Sequence, residues 1–200
     1  MNKSYIPKYT HKFPTNLPHG DKKYTLTYIR RMISEFVYDM GNLENNPFTF
    51  PEVQTLLDGI TVGGHKLSDQ NQILNIKSSW DYVIKLSNKE NLSLNKDTIC
   101  SIHKIVAKDE ALIVGDFRNG NIGIAGTTQY ECIEATLLND LFVNDINIIN
   151  KITNPLEKAI IINLWLSYCQ FFYDGNKRTA RLTSNLILIS NDIGVLSIPA

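Results

Sequence analysis

The sequence lacks the features of a membrane protein, a secreted protein or a nucleic-acid-binding surface. No apolar run approaches the length that crosses a bilayer, and the first residues contain no apolar segment typical of a secretory signal. Lysine plus arginine equals aspartate plus glutamate at 20 each, so the formal net charge is +0, which gives no general attraction to nucleic acid or anionic lipid. We therefore expect a cytoplasmic protein that binds neither membrane nor nucleic acid.

Cysteine is also scarce. The three cysteines, Cys100, Cys132 and Cys169, are odd in number and lie in apolar helical contexts, which indicates reduced thiols in a core rather than disulfides. The 200 residues are 43% apolar and 20% charged, an ordinary globular composition that can form one sizeable core. We expect an irregular N-terminal arm over residues 1–20 and a single domain over residues 21–200.

Apolar residues recur at helical spacing along most of the chain. The pattern predicts helices over about residues 22–41, 49–59, 68–84, 96–107, 128–142, 157–172 and 179–193. Capping signals support two of the starts, Thr49-x-x-Glu52 and Asn154-Pro155-x-Glu157. The exception is residues 117–124, where Asn119-Gly120 lies between alternating apolar residues and predicts a hairpin. The expected fold is an all-α bundle with one small β-hairpin.

A polar and basic segment separates the last two predicted helices and contains Asp174, Gly175, Asn176, Lys177, Arg178 and Arg181. The start of a helix leaves backbone N–H groups without helical partners, and such groups bind anions. Basic residues in a first helical turn oppose the helix dipole, unless an anion normally lies between them and the N–H groups. The segment is therefore predicted to bind phosphate, and a polyphosphate would balance its positive charge.

Residues 170–181 resemble the signature of the Fic family, His-x-Phe-x-Asp/Glu-Gly-Asn-Gly/Lys-Arg-x-x-Arg. The match comprises Phe172 and the six residues named above. The first position differs, because Gln170 replaces the histidine that acts as general base in the family, and its amide takes up no proton near neutral pH. The candidates for a replacement base are His11, His19, His65 and His103.

This resemblance implies a site for ATP and Mg²⁺. Asp174 would hold the Mg²⁺ that bridges two phosphates, since this hard cation takes oxygen ligands. Gly175 would allow close backbone approach, and Asn176 with the following N–H groups would hold the β-phosphate. Arg178 and Arg181 would neutralise the charge that builds on the departing pyrophosphate.

The hairpin expected at residues 117–124 resembles the flap of Fic proteins, about residues 115–126 here. That flap holds a target peptide by β-augmentation. The resemblance implies that Phe117, Arg118, Ile122 and Ile124 dock a segment of a target protein. Taken alone, the hairpin pattern is also that of a surface connection.

A third resemblance concerns residues 40–46 and the inhibitory motif Ser/Thr-x-x-x-Glu-Gly/Asn of one Fic class. Glu44 and Asn45 match, while Met40 takes the place of the Ser/Thr. The resemblance implies that Glu44 pairs with Arg181 and occupies the space of the nucleotide γ-phosphate, since carboxylate and phosphate both form strong charge-assisted contacts with arginine. Without the resemblance, Glu44 reads as a solvated loop acid.

Together the resemblances imply a relative of enzymes that transfer AMP from ATP to a hydroxyl side chain of a target protein, weak or inactive because of Gln170. One alternative is an inactive module that binds nucleotide or peptide. Another is a Doc-like kinase that transfers the γ-phosphate, indicated by Lys177, although Gly175 and Arg181 favour adenylyl transfer. The family resemblance also allows a homodimer.

Overall fold

The structure is a computed structural model that describes residues 3–17, 19–89, 92–124 and 130–199. Within these ranges it contains no strand and is built from helices, as the all-α prediction requires. Their bounds are α1 Lys22–Asn42, α2 Phe50–Leu57, α3 Leu67–Ser87, α4 Lys96–Val106, α5 Leu138–Asn150, α6 Pro155–Cys169 and α7 Asn176–Ser190, with a 3₁₀ turn at Ala135–Leu137 before α5. No helix of the described ranges is both long and apolar enough to cross a bilayer.

The two predicted capping signals start helices in the structure. Glu52 accepts a hydrogen bond of 2.8 Å from the backbone N–H of Thr49 and so closes a capping box at α2. The side chain of Asn154 accepts from the N–H groups of Leu156 and Glu157 at the start of α6. Local sequence chemistry therefore determines where these helices begin.

Helix α7 is the central helix of the bundle. It packs against α1, α3, α4 and α6, and almost every side chain from Arg178 to Ile189 is buried. Two apolar cores meet on it, since Ala180 and Leu188 belong to one and Leu182 belongs to the other. The first turn of α7 is consequently held in a fixed place relative to the helices around it.

Helix α1 ends in a tight turn that carries Glu44. The N–H of Asn46 donates to the carbonyl of Gly41 and Asn45 has a φ of 62°, which is a Schellman ending with asparagine in the left-handed position. Gly41 lets α1 approach α3, because a Cβ there would lie 2.8 Å from Cδ1 of Ile73. Backbone geometry and the packing of α1 on α3 therefore set the position of Glu44.

The β-hairpin predicted at residues 117–124 is absent from this described segment. A type I′ turn needs positive φ at both central residues, and neither Asn119 nor Gly120 has one. Instead Oδ1 of Asn119 accepts a hydrogen bond of 2.8 Å from the hydroxyl of Tyr173, and a Cβ on Gly120 would lie 2.6 Å from the same hydroxyl. Packing against the loop after α6 prevails over the local turn preference. Residues 125 and 126 of the expected flap lie outside the described ranges.

The expected docking residues of this segment are not arranged as an exposed row. Phe117 is buried among Phe142, Phe171 and Phe172, while Arg118 is also buried. Ile122 is half-buried and Ile124 is exposed. The side chains of Phe117 and Arg118 therefore lie in the core, where Arg118 donates to three backbone carbonyls. Docking of a target segment at these residues stays a prediction.

The helix expected over residues 128–142 begins later and extends further than predicted. Residues 130–134 have no regular structure, and α5 continues to Asn150. Arg118 holds the earlier segment by donating from Nη2 to the carbonyl of Ile133 at 2.6 Å, and the apolar spacing continues through the buried Ile146 and Ile149. Thr128 lies outside the described residues.

The described residues before α1, 3–17 and 19–21, have no regular structure and bond to the domain. The N–H of Tyr5 donates to the buried carboxylate of Asp145 at 3.1 Å. The carbonyl of Pro14 accepts from Asn154 at 2.9 Å, and the N–H of Gly20 donates to the carbonyl of Asp192 at 2.7 Å. These bonds join the arm to α5, to the start of α6 and to the end of α7.

We predict that Arg118→Met strongly destabilises the fold. Arg118 donates to the carbonyls of Gln170 at 2.7 Å, Gly120 at 2.9 Å and Ile133 at 2.6 Å, and methionine would leave these acceptors without their donor. The expected loss is about 3 kcal/mol in the free energy of unfolding, measured by urea denaturation. Arg30→Met, at an exposed site, is the matched control and should change stability by less than about 0.5 kcal/mol. Equal effects of the two substitutions would contradict the anchoring role.

Candidate functional site

The candidate site is centred on the loop between α6 and α7. Gln170 ends α6 in the left-handed conformation, with φ 50°. Both polar atoms of its side chain form hydrogen bonds: Nε2 donates to the carbonyl of Ser167 at 2.6 Å, and Oε1 accepts from Asn176 at 2.9 Å. Gln170 thus serves as a connector within the loop at the position where the resemblance expects a base.

Asn176 closes the loop from its other end. Its Oδ1 accepts from the N–H of Phe172 at 2.9 Å, and its Nδ2 donates to the carbonyl of Phe172 at 2.8 Å as well as to Gln170. The side chain is buried. A phosphate contact at Asn176 therefore has to come from the backbone N–H rather than from the amide side chain.

Gly175 is required by conformation and by space. Its φ is 71°, and a Cβ there would lie 2.8 Å from Cβ of Ala107 at the end of α4. In the part of the chain that the structure describes, no side chain caps the N-terminus of α7. The first N–H groups of α7 are consequently free to face an anion.

Asp174 and Arg178 form an ion pair with unequal exposure. Nη2 of Arg178 lies 3.2 Å from Oδ1 of Asp174, and the side chains are 2% and 54% exposed, respectively. Nη1 of Arg178 lies 2.6 Å from Oε1 of Glu110. Burial opposes the charged form of Arg178, but the hydrogen bond to Glu110 and the nearby carboxylates prevail and raise its pKa. Arg178 therefore points into the protein, and Asp174 is the member of the pair that reaches the open side.

Glu44 faces two cations of α7. Its Oε2 lies 3.6 Å from Nζ of Lys177 and its Oε1 lies 3.8 Å from Nη1 of Arg181. Oε1 of Glu44 and Nη1 of Arg181 are both buried, and neither has a hydrogen-bond partner among the described residues. Burial lowers the pKa of Arg181, and the charge of Glu44 acts in the opposite direction. The two groups attract each other across a distance too long for a hydrogen bond.

Of the four histidines, His103 is the one that the fold brings to this loop. Its ring stacks on Phe172 with centroids 3.7 Å apart. Nδ1 accepts from the N–H of Gly115 at 3.0 Å, so Nε2 carries the proton and donates to the carbonyl of Asp174 at 3.0 Å. Burial is the main cause that lowers the pKa of His103 to about 4. This histidine holds the loop in place, with both ring nitrogens engaged.

Sequence reasoning did not find Glu110 or its neighbour Gln72, whose Nε2 donates to Oε2 of Glu110 at 2.7 Å. They lie on a different part of the chain from the motif, and neither belongs to a recognisable pattern. A buried arginine needs nearby acceptors for its charge, which carboxylates or carbonyls can supply, but the burial of Arg178 becomes known only from the fold.

The donor set allows one mode of Mg²⁺ binding. Within the described ranges, no three His, Cys, Asp or Glu side chains lie together as a metal cage. Asp174 offers one half-exposed carboxylate next to the free N–H groups of α7. This suits Mg²⁺ held by a single carboxylate and by phosphate oxygens, the usual mode for nucleotide complexes.

The fold is that of Fic-domain proteins. It aligns with a Fic domain containing signaling protein from Bacteroides thetaiotaomicron at a TM-score of 0.75 and 19% identity, covering 88% of this chain and 68% of that one. It also aligns with Fic-1 from C. elegans at a TM-score of 0.68 and 24% identity, covering 86% and 54%. Residues 93–188 match the model of the Fic/DOC family. This part of the chain, just under half of it, is similar to Fic/DOC domains.

The chain also matches curated proteins that are much longer than itself, and it covers a smaller share of them than of the solved structures. The chain is 24% identical over 184 residues to protein adenylyltransferase fic-1 of Caenorhabditis briggsae, covering 86% of this chain and 36% of that protein. It is 26% identical over 167 residues to protein adenylyltransferase Fic of Nematostella vectensis, covering 80% and 38%. The chain thus spans somewhat more than a third of the length of these curated relatives.

We predict that His103 makes stability depend on pH between about 6.5 and 4. Its pKa is about 4 in the folded protein and about 6.5 in an unfolded chain. Because the folded pKa is the lower one, its contribution is complete above pH 6.5 and is lost as pH falls toward 4. The loss is on the order of 3 kcal/mol, measured as urea unfolding free energy at successive pH values.

The matched variants are His103→Gln and His11→Gln. His103→Gln removes the titrating group and should flatten the slope between pH 6.5 and 4, whatever its effect on stability at neutral pH. His11 is exposed, so His11→Gln should keep the slope of the unchanged protein. If the unfolding free energy of His103→Gln kept the same slope with pH, another group would control stability at acidic pH.

Proposed function

We propose that the chain binds Mg²⁺·ATP at the segment from Asp174 to Arg181. The observation that carries this proposal is the pair of buried, unpartnered atoms on Glu44 and Arg181, 3.8 Å apart beside the uncapped N-terminus of α7. An arginine nitrogen that is removed from water and lacks a hydrogen bond is costly. A phosphate oxygen that replaced the carboxylate of Glu44 would supply the missing bond.

The side chains around Glu44 and Arg181 would contact different parts of the bound Mg²⁺·ATP. Lys177 and Arg181 face Glu44 and would meet the negative charge of a polyphosphate that displaced it. Asp174 would hold Mg²⁺, which when bound neutralises phosphate charge. The N–H groups of α7 would orient the phosphates through the helix dipole.

The chemical step that we propose is adenylyl transfer, the activity for which the curated relatives are named. A hydroxyl oxygen of a target protein would attack the α-phosphorus, form the phosphodiester and release pyrophosphate. The hydroxyl proton needs an acceptor, and Gln170 supplies none because its amide takes up no proton near neutral pH; its oxygen also accepts from Asn176 already. We therefore infer weak transfer or none.

The second candidate is a module that binds nucleotide or a partner protein without making a bond. It is favoured by the hydrogen bonds of Gln170, which give this residue a role in the loop that does not need proton transfer. His103 lies near but uses both ring nitrogens elsewhere. The two candidates share the binding site and differ only in the chemical step.

We expect Glu44→Gly to bind Mg²⁺·ATP about tenfold more tightly than the unchanged protein, because the competing carboxylate is gone. Transfer is followed with α-labelled ATP and intact-protein mass spectrometry on the chain and on a lysate of candidate targets. Glu44→Gly/Gln170→His should label at least about a hundredfold faster than Glu44→Gly, the usual gain from a general base. Histidine tolerates the left-handed backbone of position 170.

The control is Arg181→Ala in the histidine-restored protein, which should lose most nucleotide binding and labelling. Label from γ-labelled ATP instead of α-labelled ATP would support a Doc-like kinase. Labelling at equal rates with and without the histidine would show that another base operates. Absence of ATP binding in Glu44→Gly would overturn the proposed nucleotide site.

A further inference from the structure

A line of hydrogen bonds connects the Glu44 turn to Asp174 through the interior. Nδ2 of Asn46 donates to Oε1 of Gln72 at 2.9 Å, and Nε2 of Gln72 donates to Oε2 of Glu110 at 2.7 Å. Oε1 of Glu110 then accepts from Arg178 at 2.6 Å, and Arg178 donates to Asp174 at 3.2 Å. Four separate parts of the fold are joined in this way.

Glu110 is the member on which the others depend. It is the carboxylate closest to the guanidinium of Arg178, whose Nη1 otherwise contacts only the carbonyl of Val106 at 3.2 Å. Gln72 fixes the second oxygen of Glu110 and so defines the rotation of its carboxylate. Arg178 is nearly inaccessible to solvent, hence its direction is decided by Glu110 and not by water.

We propose that Glu110 is a positioning residue for Asp174, acting through Arg178, and that it sets how strongly Mg²⁺ promotes nucleotide binding. This inference rests on the proposed function and adds a residue that does not touch the ligand. Asp174 is half-exposed, so burial does not orient it. Its Oδ1 is held by the N–H of Gly175 and by Nη2 of Arg178.

The physical reason is the orientation of a metal-binding carboxylate by its neighbours. Outer hydrogen bonds fix the direction of such a carboxylate, and their removal typically lowers metal affinity about 10–100-fold. Loss of the Glu110 charge would release Arg178 from its present direction and leave Asp174 with one donor on Oδ1. Nucleotide binding without metal depends instead on α7, Lys177 and Arg181, and should persist.

The test measures ATP affinity by isothermal titration calorimetry, with excess Mg²⁺ and with EDTA, on the Glu44→Gly protein. In Glu110→Gln the gain in affinity caused by Mg²⁺ should fall about tenfold, while affinity in EDTA stays within about twofold. Asp174→Asn is the reference for complete loss of the metal effect. Asp109→Asn is the matched control, because Asp109 is an exposed neighbouring acid with φ 65°, a conformation that asparagine accepts.

A second variant guards against unfolding of Glu110→Gln. Glu110→Gln/Arg178→Met removes the whole buried pair, which is often tolerated when the volume is kept, and it should show the same loss of the metal effect with a restored melting temperature. A normal metal effect in this variant, or equal losses with Mg²⁺ and with EDTA, would overturn the inference. Absence of ATP binding in Glu44→Gly alone would overturn the proposed function and this inference with it.

Discussion

The positive charge at the start of α7 is the constraint on which the rest of the site depends. Lys177, Arg178 and Arg181 lie where the helix dipole is itself positive, an arrangement that is unfavourable without nearby anions. Two glutamates from distant parts of the chain supply part of the negative charge: Glu44 from the turn after α1, and Glu110 from the segment after α4. The contacts that the segments after α1 and α4 make with α7 therefore partly balance this charge. An anionic ligand would take the place of the carboxylate of Glu44, beside the cations that this carboxylate partly balances in the free protein.

Much of the polar motif builds the loop instead of facing a ligand. Asn176 and Gln170 bond to each other across the loop, and Arg178 is turned inward. The proposed ligand would meet the half-exposed carboxylate of Asp174, the cations Lys177 and Arg181, and the N–H groups at the start of α7. This division explains how so polar a segment can be largely buried: the interior side chains bond mainly to other groups of the protein, while Lys177 and Arg181 face Glu44.

The sequence predicted the helices well, because apolar spacing and capping residues are local signals. It also indicated which stretch of the chain forms the candidate site, since the motif is contiguous. It failed at residues 117–124, where Asn119-Gly120 favours a hairpin locally, but the side chain of Asn119 accepts from the hydroxyl of Tyr173 and the carbonyl of Gly120 accepts from Arg118. It could not reveal the role of Glu110, which depends on the burial of Arg178, 68 positions away. Long-range partners of buried charges are decided by packing, and no local pattern records them.

In the proposed function, Gln170 would separate nucleotide binding from the chemical step. At the end of α6 it provides a left-handed residue, an acceptor for Asn176 and a donor to the preceding turn, all of which preserve the loop that shapes the phosphate site. A neutral histidine has one acceptor nitrogen, which could either accept from Asn176 or take up a proton, whereas glutamine can only accept. Under the proposed function, glutamine at this position would remove proton transfer and leave the geometry of binding in place. Nucleotide would then compete with Glu44 for Arg181, and that competition would need no chemical step to change the surface around α7.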